Sequence, residues 1–135
     1  MTNTSRSPVG MIQLQARGSV DDAWKRLEGA VAARNLTVFA RIDFAADAAA
    51  FGMTLLPTRL LVFGTPRAGT PVIAASPTVA VDLPLRVLVW EARDGTTVVG
   101  FNSPAFLADR HGVPEPLHAN LQPVELIAAI AAGTA

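Results

Sequence analysis

The sequence predicts an α+β domain in which helices pack on one face of a mostly antiparallel sheet. The predicted strands cluster in the middle of the chain and are joined by a hairpin signal, while most of the predicted helices stand toward its ends. Half of the 135 residues are apolar and only 16% are charged, which suits one buried core and is too apolar for intrinsic disorder. No internal repeat or domain boundary is visible, so residues 10–135 are expected to form one domain behind a frayed polar tail over residues 1–9.

The first third of the chain predicts a strand, a long helix and a second strand. Met11–Arg17 alternates between apolar and polar residues, which indicates a short strand. Ser19 can cap the helix that follows, and two aspartates suit the positive end of that helix. Its apolar stripe at helical spacing is formed by Val20, Trp24, Leu27 and Val31. Leu36–Asp43 then alternates cleanly, with Val38, Ala40 and Ile42 on one face and Phe39, Arg41 and Asp43 on the other.

The middle of the chain predicts shorter elements separated by turn residues. An alanine-rich helix is expected over Ala45–Phe51, ended by Gly52, and a strongly apolar strand over Arg59–Phe63. Gly64–Gly69 is rich in turn residues and is expected to form a loop. Thr70–Ala75 can then form a short helix, because threonine is a good cap and proline is favoured at the first helical position.

The last part of the chain predicts three strands and two helices. Thr78–Leu83 and Leu85–Ala92 have strand patterns separated by Pro84, and the second is apolar on both faces, as suits a central strand. A hairpin signal, Asp94-Gly95, connects it to a strand over Thr96–Asn102. The two helices are expected from Ser103-Pro104 to Gly112, and after a proline-rich link over Val113–Pro123, where Val124, Ile127 and Ala131 form the apolar set.

The charge balance limits the partners. The chain has eleven basic and eleven acidic residues, and the basic ones are scattered without a block. Proteins that bind nucleic acid or anionic lipid concentrate positive charge, so neither partner is expected, whereas zero net charge favours self-association. There is no cysteine, no apolar run of membrane-spanning length and no signal-peptide pattern, and a soluble cytoplasmic protein is therefore expected.

The best local candidate for a binding site is the segment from Gly64 to Thr70. Glycines permit close approach of the backbone, Arg67 supplies charge, and Gly69 and Thr70 stand where a predicted helix begins with free backbone donors. These features suit a phosphate or a carboxylate. A tight connection that needs glycine and proline only for its shape explains the same residues.

Charged residues on predicted strands supply a second set of candidates. Asp82 and Arg86 fall on the same side of an extended segment, where they can pair or jointly bind a polar ligand. Arg41 and Asp43 share a strand face, and Asp43 also stands where it can cap the next helix. Structural ion pairs and a helix cap are the simpler interpretations of these residues.

The sequence offers no known catalytic or metal-binding pattern. His111 and His118 are the only histidines, and neither has a second ligand at metal-binding spacing. No nucleophile-elbow motif is present, and no serine or threonine has a histidine partner visible in the sequence. No metal and no cofactor are expected.

Several short sequence motifs together resemble those of the Domain of Unknown Function 302 family. They are the runs at residues 38–43 and 60–71, Asp82-Leu83-Pro84-Leu85, Asp94-Gly95 and Phe101-Asn102-Ser103-Pro104. The resemblance spans about residues 36 to 111. It implies a curved antiparallel sheet crossed by a long helix, similar in outline to half of a TATA-binding protein, and a homodimer. It implies no activity. Phe44 and Phe101 depart from the histidine and tyrosine that are common in the family.

These observations favour a non-catalytic homodimeric module that binds a small ligand, with an anion as the first candidate. Two alternatives stay open. In the first, the chain would be an enzyme that uses the charged residues on a sheet face. In the second, it would be a structural protein whose role is dimerisation alone.

Overall fold

The computed structural model describes residues 7–135, and its centre is a five-stranded antiparallel sheet in the order β1-β5-β4-β3-β2. The strands are β1 (Met11–Ala16), β2 (Thr37–Asp43), β3 (Thr58–Gly64), β4 (Leu85–Glu91) and β5 (Thr97–Asn102). The helices are α1 (Val20–Ala33), α2 (Phe44–Ala50), α3 (Pro66–Ala75), α4 (Pro104–His111) and α5 (Pro123–Ala132), with 3₁₀ helices at Pro77–Asp82 and Glu115–Asn120. The predicted α+β class and antiparallel sheet are confirmed.

One face of the sheet, here called the helix face, is covered by α1 and α5, which pack against each other and against the strands. Helix α1 begins as predicted: the Ser19 hydroxyl accepts from the N–H of Asp22, whose carboxylate accepts from the N–H of Ser19. The apolar stripe of α1 faces the sheet and is buried. The strand side chains buried against it are Leu61, Phe63, Val87, Val89, Val99 and Phe101.

A second, smaller core holds the remaining helices together. Val72 of α3, Val79 of the first 3₁₀ helix and Leu107 of α4 are buried in it, together with Leu121 just before α5. Leu85, at the start of β4, packs against both cores. The region of α3 is therefore fixed to the start of the central strand.

Two predictions about strands are wrong in detail. The strand expected over Thr78–Leu83 is the 3₁₀ helix Pro77–Asp82, in which the N–H of Val79 bonds the carbonyl of Ser76. The faces predicted for β2 are also wrong at one end, because the register shifts between Val38 and Ala40. This bulge pairs Val38 with Phe63 of the helix face and Ala40 with Val62 of the other face.

The predicted N-terminal tail covers residues 1–9, and residues 1–6 lie outside the described part of the chain. Within the described part, the carbonyl of Pro8 accepts a hydrogen bond from Met11 in the turn that leads into β1. Among residues 7–135, no helix is both long enough and apolar enough to cross a membrane.

Gly29 on the exposed side of α1 gives a simple stability prediction. A Cβ built there meets no atom within 4 Å, so alanine adds helix propensity without a clash. We expect Gly29→Ala to raise the free energy of unfolding by about 0.5–1 kcal/mol. Urea unfolding followed by circular dichroism measures the change, and a lower midpoint than that of the wild type would contradict the prediction.

Candidate functional site

A cavity of about 280 Å³ lies between α3, the segment that leads into β4, the start of β2 and the residues before α5. Its wall is mainly apolar. The apolar lining residues are Leu36, Phe39, Pro66, Ala68, Ile73, Leu83, Pro84, Leu85, Leu121 and Pro123. Phe39 lies at the β2 bulge and is 50% exposed, so the bulge gives the cavity an aromatic wall open to solvent.

The candidate segment from Gly64 to Thr70 borders this cavity, but it is not the predicted loop. Helix α3 begins at Pro66, with Thr65 as its cap, and Pro71 lies inside the helix instead of at its start. The sequence places a threonine-proline pair at both positions, and the structure uses the first. The N–H of Ala68 bonds the hydroxyl and carbonyl of Thr65, and the N–H of Gly69 bonds the same carbonyl.

This helix start changes the chemistry expected of the segment. The predicted helix start at Thr70, with its free donors, lies inside α3, and the Ala68 and Gly69 donors near the actual start are engaged by Thr65. Gly69 and Thr70 do line the cavity, whereas Arg67 is exposed and does not. Among the described residues, no charged side chain lines the wall.

Three neutral polar side chains remain at the cavity: Thr65, Thr70 and Asn120. Asn120 ends the second 3₁₀ helix, and its amide donates to the carbonyl of Ala68 at 3.0 Å. It thereby ties the segment before α5 to α3. The wall can thus bury an apolar molecule by the hydrophobic effect, and a few neutral groups can orient it.

Asp82 lies outside this cavity in a cluster of hydrogen bonds that sequence reasoning did not find. Its Oδ2 atom accepts from Nη1 of Arg110 at 2.7 Å and lies 2.6 Å from Nε2 of His111, while Nδ1 of His111 is 2.8 Å from the hydroxyl of Thr78. An ionised carboxylate can only accept, so Nε2 of His111 carries a proton and donates it to Asp82 in this hydrogen bond. The cluster fixes the first 3₁₀ helix to the end of α4.

The balance of forces on Asp82 favours its ionised form. Partial burial raises the pKa of the Asp82 carboxyl, but the hydrogen bonds from His111 and Arg110 and the charge of Arg110 outweigh burial, and the pKa is lowered from its ordinary value. The predicted partner, Arg86, donates instead to the carbonyl of Pro84. Asp82 and Arg86 border a second void of only about 10 Å³, which has room for about one water molecule.

Arg41 and Asp43 also have structural partners away from the cavity. Arg41 forms a two-pronged ion pair with Glu28 of α1, at 2.8 Å for its shortest contact. Asp43 caps α2 through the N–H of Ala46, as the simpler interpretation predicted. The structure therefore brings only Gly69 and Thr70 of the predicted site residues to the main cavity.

The two aromatic departures from the family pattern have different settings. Phe101 is 4% exposed in the main core, and Phe44 begins α2 with 38% of its surface exposed.

Within residues 7–135 no group of three or more His, Asp or Glu side chains is placed to hold a metal ion.

Comparison with known proteins gives both a family and a fold. The family model described as "Domain of unknown function DUF302" matches residues 12–131. Two similar relatives carry the name fluoride-specific ion channel FluC 1. The protein of Brucella suis biovar 1 is 36% identical over 104 residues, which cover 77% of this chain and 41% of the relative. The protein of Brucella abortus biovar 1 is 36% identical over 104 residues, covering 77% and 38%. The chain thus spans about two fifths of the length of these relatives.

A solved structure supports the same conclusion on the fold. The crystal structure of an uncharacterized conserved DUF302 protein from Bacillus stearothermophilus aligns with a TM-score of 0.75 at 17% sequence identity, covering 94% of this chain and 98% of that one. With the match of the family model to most of its length, the chain belongs to the DUF302 family.

Proposed function

We propose that this chain is a non-catalytic, homodimeric module that binds a small, mainly apolar ligand in the cavity beside α3. The observation that supports it is the cavity itself: about 280 Å³, walled by apolar side chains and provided with three neutral polar groups. Ligand sites range from about 300 to 1,000 Å³, so the volume favours a molecule smaller than a typical drug.

The same geometry argues against an anionic ligand, including fluoride. An anion needs a cation or free backbone donors, and Arg67 does not line the wall while Ala68 and Gly69 donate to Thr65. Fluoride, suggested by the name of the relatives, is a small and strongly hydrated ion. An apolar wall does not replace the water molecules that solvate it. The charged candidates Asp82, Arg86, Arg41 and Asp43 are occupied by structural partners, which weakens the enzymatic alternative.

The first experiment looks for a ligand that copurifies with the protein. Native mass spectrometry before and after denaturation is expected to show a dimer that releases a discrete small molecule. Titration calorimetry with octan-1-ol, octanoate and sodium fluoride then tests the class, and we expect both organic probes to bind with similar affinity and fluoride not to bind.

Substitution of Gly69 tests whether the cavity is the site. A Cβ at Gly69 meets nothing within 4 Å, so the ring in Gly69→Phe can extend into the space beside α3 and occupy the cavity. We expect a loss of octan-1-ol affinity of at least about tenfold. Gly29→Phe is the matched control, because Gly29 is also helical with open space around it, and it should bind like the wild type.

Three results would contradict the proposal. Equal binding by the wild type and Gly69→Phe would place the ligand elsewhere. A strong preference for octanoate that Arg67→Ala removes would show that the ligand is an anion held by Arg67. Fluoride binding at micromolar concentration would favour a role in fluoride handling.

A further inference from the structure

The central strand β4 has two apolar faces, but the described chain covers only one. Val87 and Val89 are fully buried against the helix face. Leu88 and Trp90 point to the opposite face and remain half-buried. A strand with apolar residues on both sides is typical of a sheet covered by layers on both faces. The second layer is missing from the part of the chain that the structure describes.

The apolar surface continues across the sheet from strand to strand. Register pairing places Ile42 opposite Leu60, Leu60 opposite Leu88, and Leu88 opposite Gly100. Gly100 has no side chain, and a Cβ there would meet the ring of Trp90 and the end of Met11, so these two side chains lie over it. We call this surface the open face; its apolar members are Met11, Ala40, Ile42, Leu60, Val62, Leu88, Trp90, Val98 and Gly100.

The polar members of the open face carry almost no charge. Gln13 and Gln15 lie on the edge strand β1, and Thr58 pairs with Trp90 at the other end of the face. Arg86 is the one charged residue on the open face within the described chain, and its guanidinium already donates to the carbonyl of Pro84. Two copies of such a face can meet without repulsion between like charges.

The open face supplies more than half of the area that a stable dimer interface needs. Five strands about 4.8 Å apart, with three outward residues per strand about 6.8 Å apart, give a face of roughly 24 by 20 Å. This flat area of about 480 Å² is more than half of the roughly 800 Å² per partner that stable interfaces bury. The segment that leads into β3 also carries exposed apolar side chains: Phe51 (85% exposed), Met53 (66%), Leu55 (46%) and Leu56 (42%).

We infer that a second copy of this chain covers the open face, so that two sheets pack face to face about 10 Å apart between outer layers of helices. The inference rests on the homodimer of the proposed function and names its surface.

Leu88→Glu tests this surface directly. Sedimentation equilibrium is expected to give the wild type twice the 14.1 kDa chain mass, and Leu88→Glu is expected to raise the dimer dissociation constant by at least about a hundredfold, because each dimer loses two central anchors. Val81→Glu is the matched control: Val81 is 70% exposed on the first 3₁₀ helix, outside the five strands that form the open face, and this variant should remain a dimer.

A second measurement keeps the inference testable if the charged variant does not fold. The chain has no cysteine, so Leu88→Cys and Val81→Cys each introduce one thiol. We expect maleimide to label the Leu88→Cys variant slowly at high protein concentration and faster after dilution. The Val81→Cys variant is expected to be labelled at the same rate at both protein concentrations.

The outcomes separate this inference from the ligand proposal. A monomeric wild type, a dimer that survives Leu88→Glu, or equally fast labelling of both thiol variants would overturn the interface. A folded, monomeric Leu88→Glu variant that still binds octan-1-ol would support it and show that the cavity works independently. A wild-type protein that is a dimer but does not bind octan-1-ol would contradict only the ligand proposal.

Discussion

Replacing Gly10 by alanine is expected to lower the free energy of unfolding by about 2–5 kcal/mol. Two effects add at this position. Gly10 has a φ of 79°, in the left-handed region that residues with a Cβ adopt only with strain. The added methyl group would also collide with the ring of Phe106, which packs directly against the Gly10 backbone. Because the carbonyl of Gly10 accepts from the N–H of Ser103, the turn cannot move without loosening the start of α4.

A matched glycine separates the two effects. Gly52 has a φ of 73°, but a Cβ there meets no atom within 4 Å. Gly52→Ala should therefore show only the backbone strain, about 1–2 kcal/mol. Urea unfolding of both variants measures the difference between them. Equal losses at the two positions would mean that the Phe106 ring moves aside at no cost and that the clash contributes nothing.

The sequence allowed most of the fold to be predicted, because its signals are local. The Ser19 cap, the Asp43 cap and the Asp94-Gly95 hairpin each depend on residues within a few positions of one another, and all three lie where they were predicted. The errors arise where two local signals compete. Alternation of Val79 and Val81 suggested a strand, but Pro77 begins a 3₁₀ helix that buries the first valine and exposes the second.

The candidate site was harder to predict, because its wall comes from distant parts of the chain. Phe39, Pro84 and Asn120 meet at the cavity although many residues separate them, and neutral side chains give no chemical signal in a sequence. Thr78, Asp82 and His111 likewise come together only in the folded chain. The segment from Gly64 to Thr70 borders the cavity, but its helix start was predicted at Thr70 instead of Pro66, because Thr65 was not recognised as the cap.

The pattern of β4 shows a more general limit. Apolar residues on both faces predicted a strand in the centre of a sheet, and β4 is the middle strand of the five described. The pattern reports that both faces are buried, but it does not report whether the second covering layer belongs to the same chain. The same residues that placed the strand correctly therefore also carry the inference of a partner.

Asp82→Asn is expected to lower the free energy of unfolding at pH 7 by about 1–2 kcal/mol, a range reduced because Arg110 is half-exposed and screened by water. The substitution keeps the shape of the side chain but removes the charge that holds Arg110 and His111. The first 3₁₀ helix loses part of its attachment to α4, and this helix leads directly into Leu83 and Pro84 of the cavity wall. Octan-1-ol affinity is therefore expected to fall slightly as well.

The pH dependence of this loss identifies its cause. Folding lowers the pKa of Asp82, so the ionised carboxylate contributes stability that is fully present above the unfolded-state pKa of about 4 and is lost as the pH falls through the lower folded-state pKa. Urea unfolding should show the full difference between wild type and Asp82→Asn at pH 7 and pH 5, and a smaller one at pH 3. Asp109→Asn, an equal charge change at an exposed position on α4, is the control and should have little effect at any of these values. A loss that is the same at pH 3 and pH 7 would show that hydrogen bonding by the carboxyl group, and not its charge, holds the 3₁₀ helix in place.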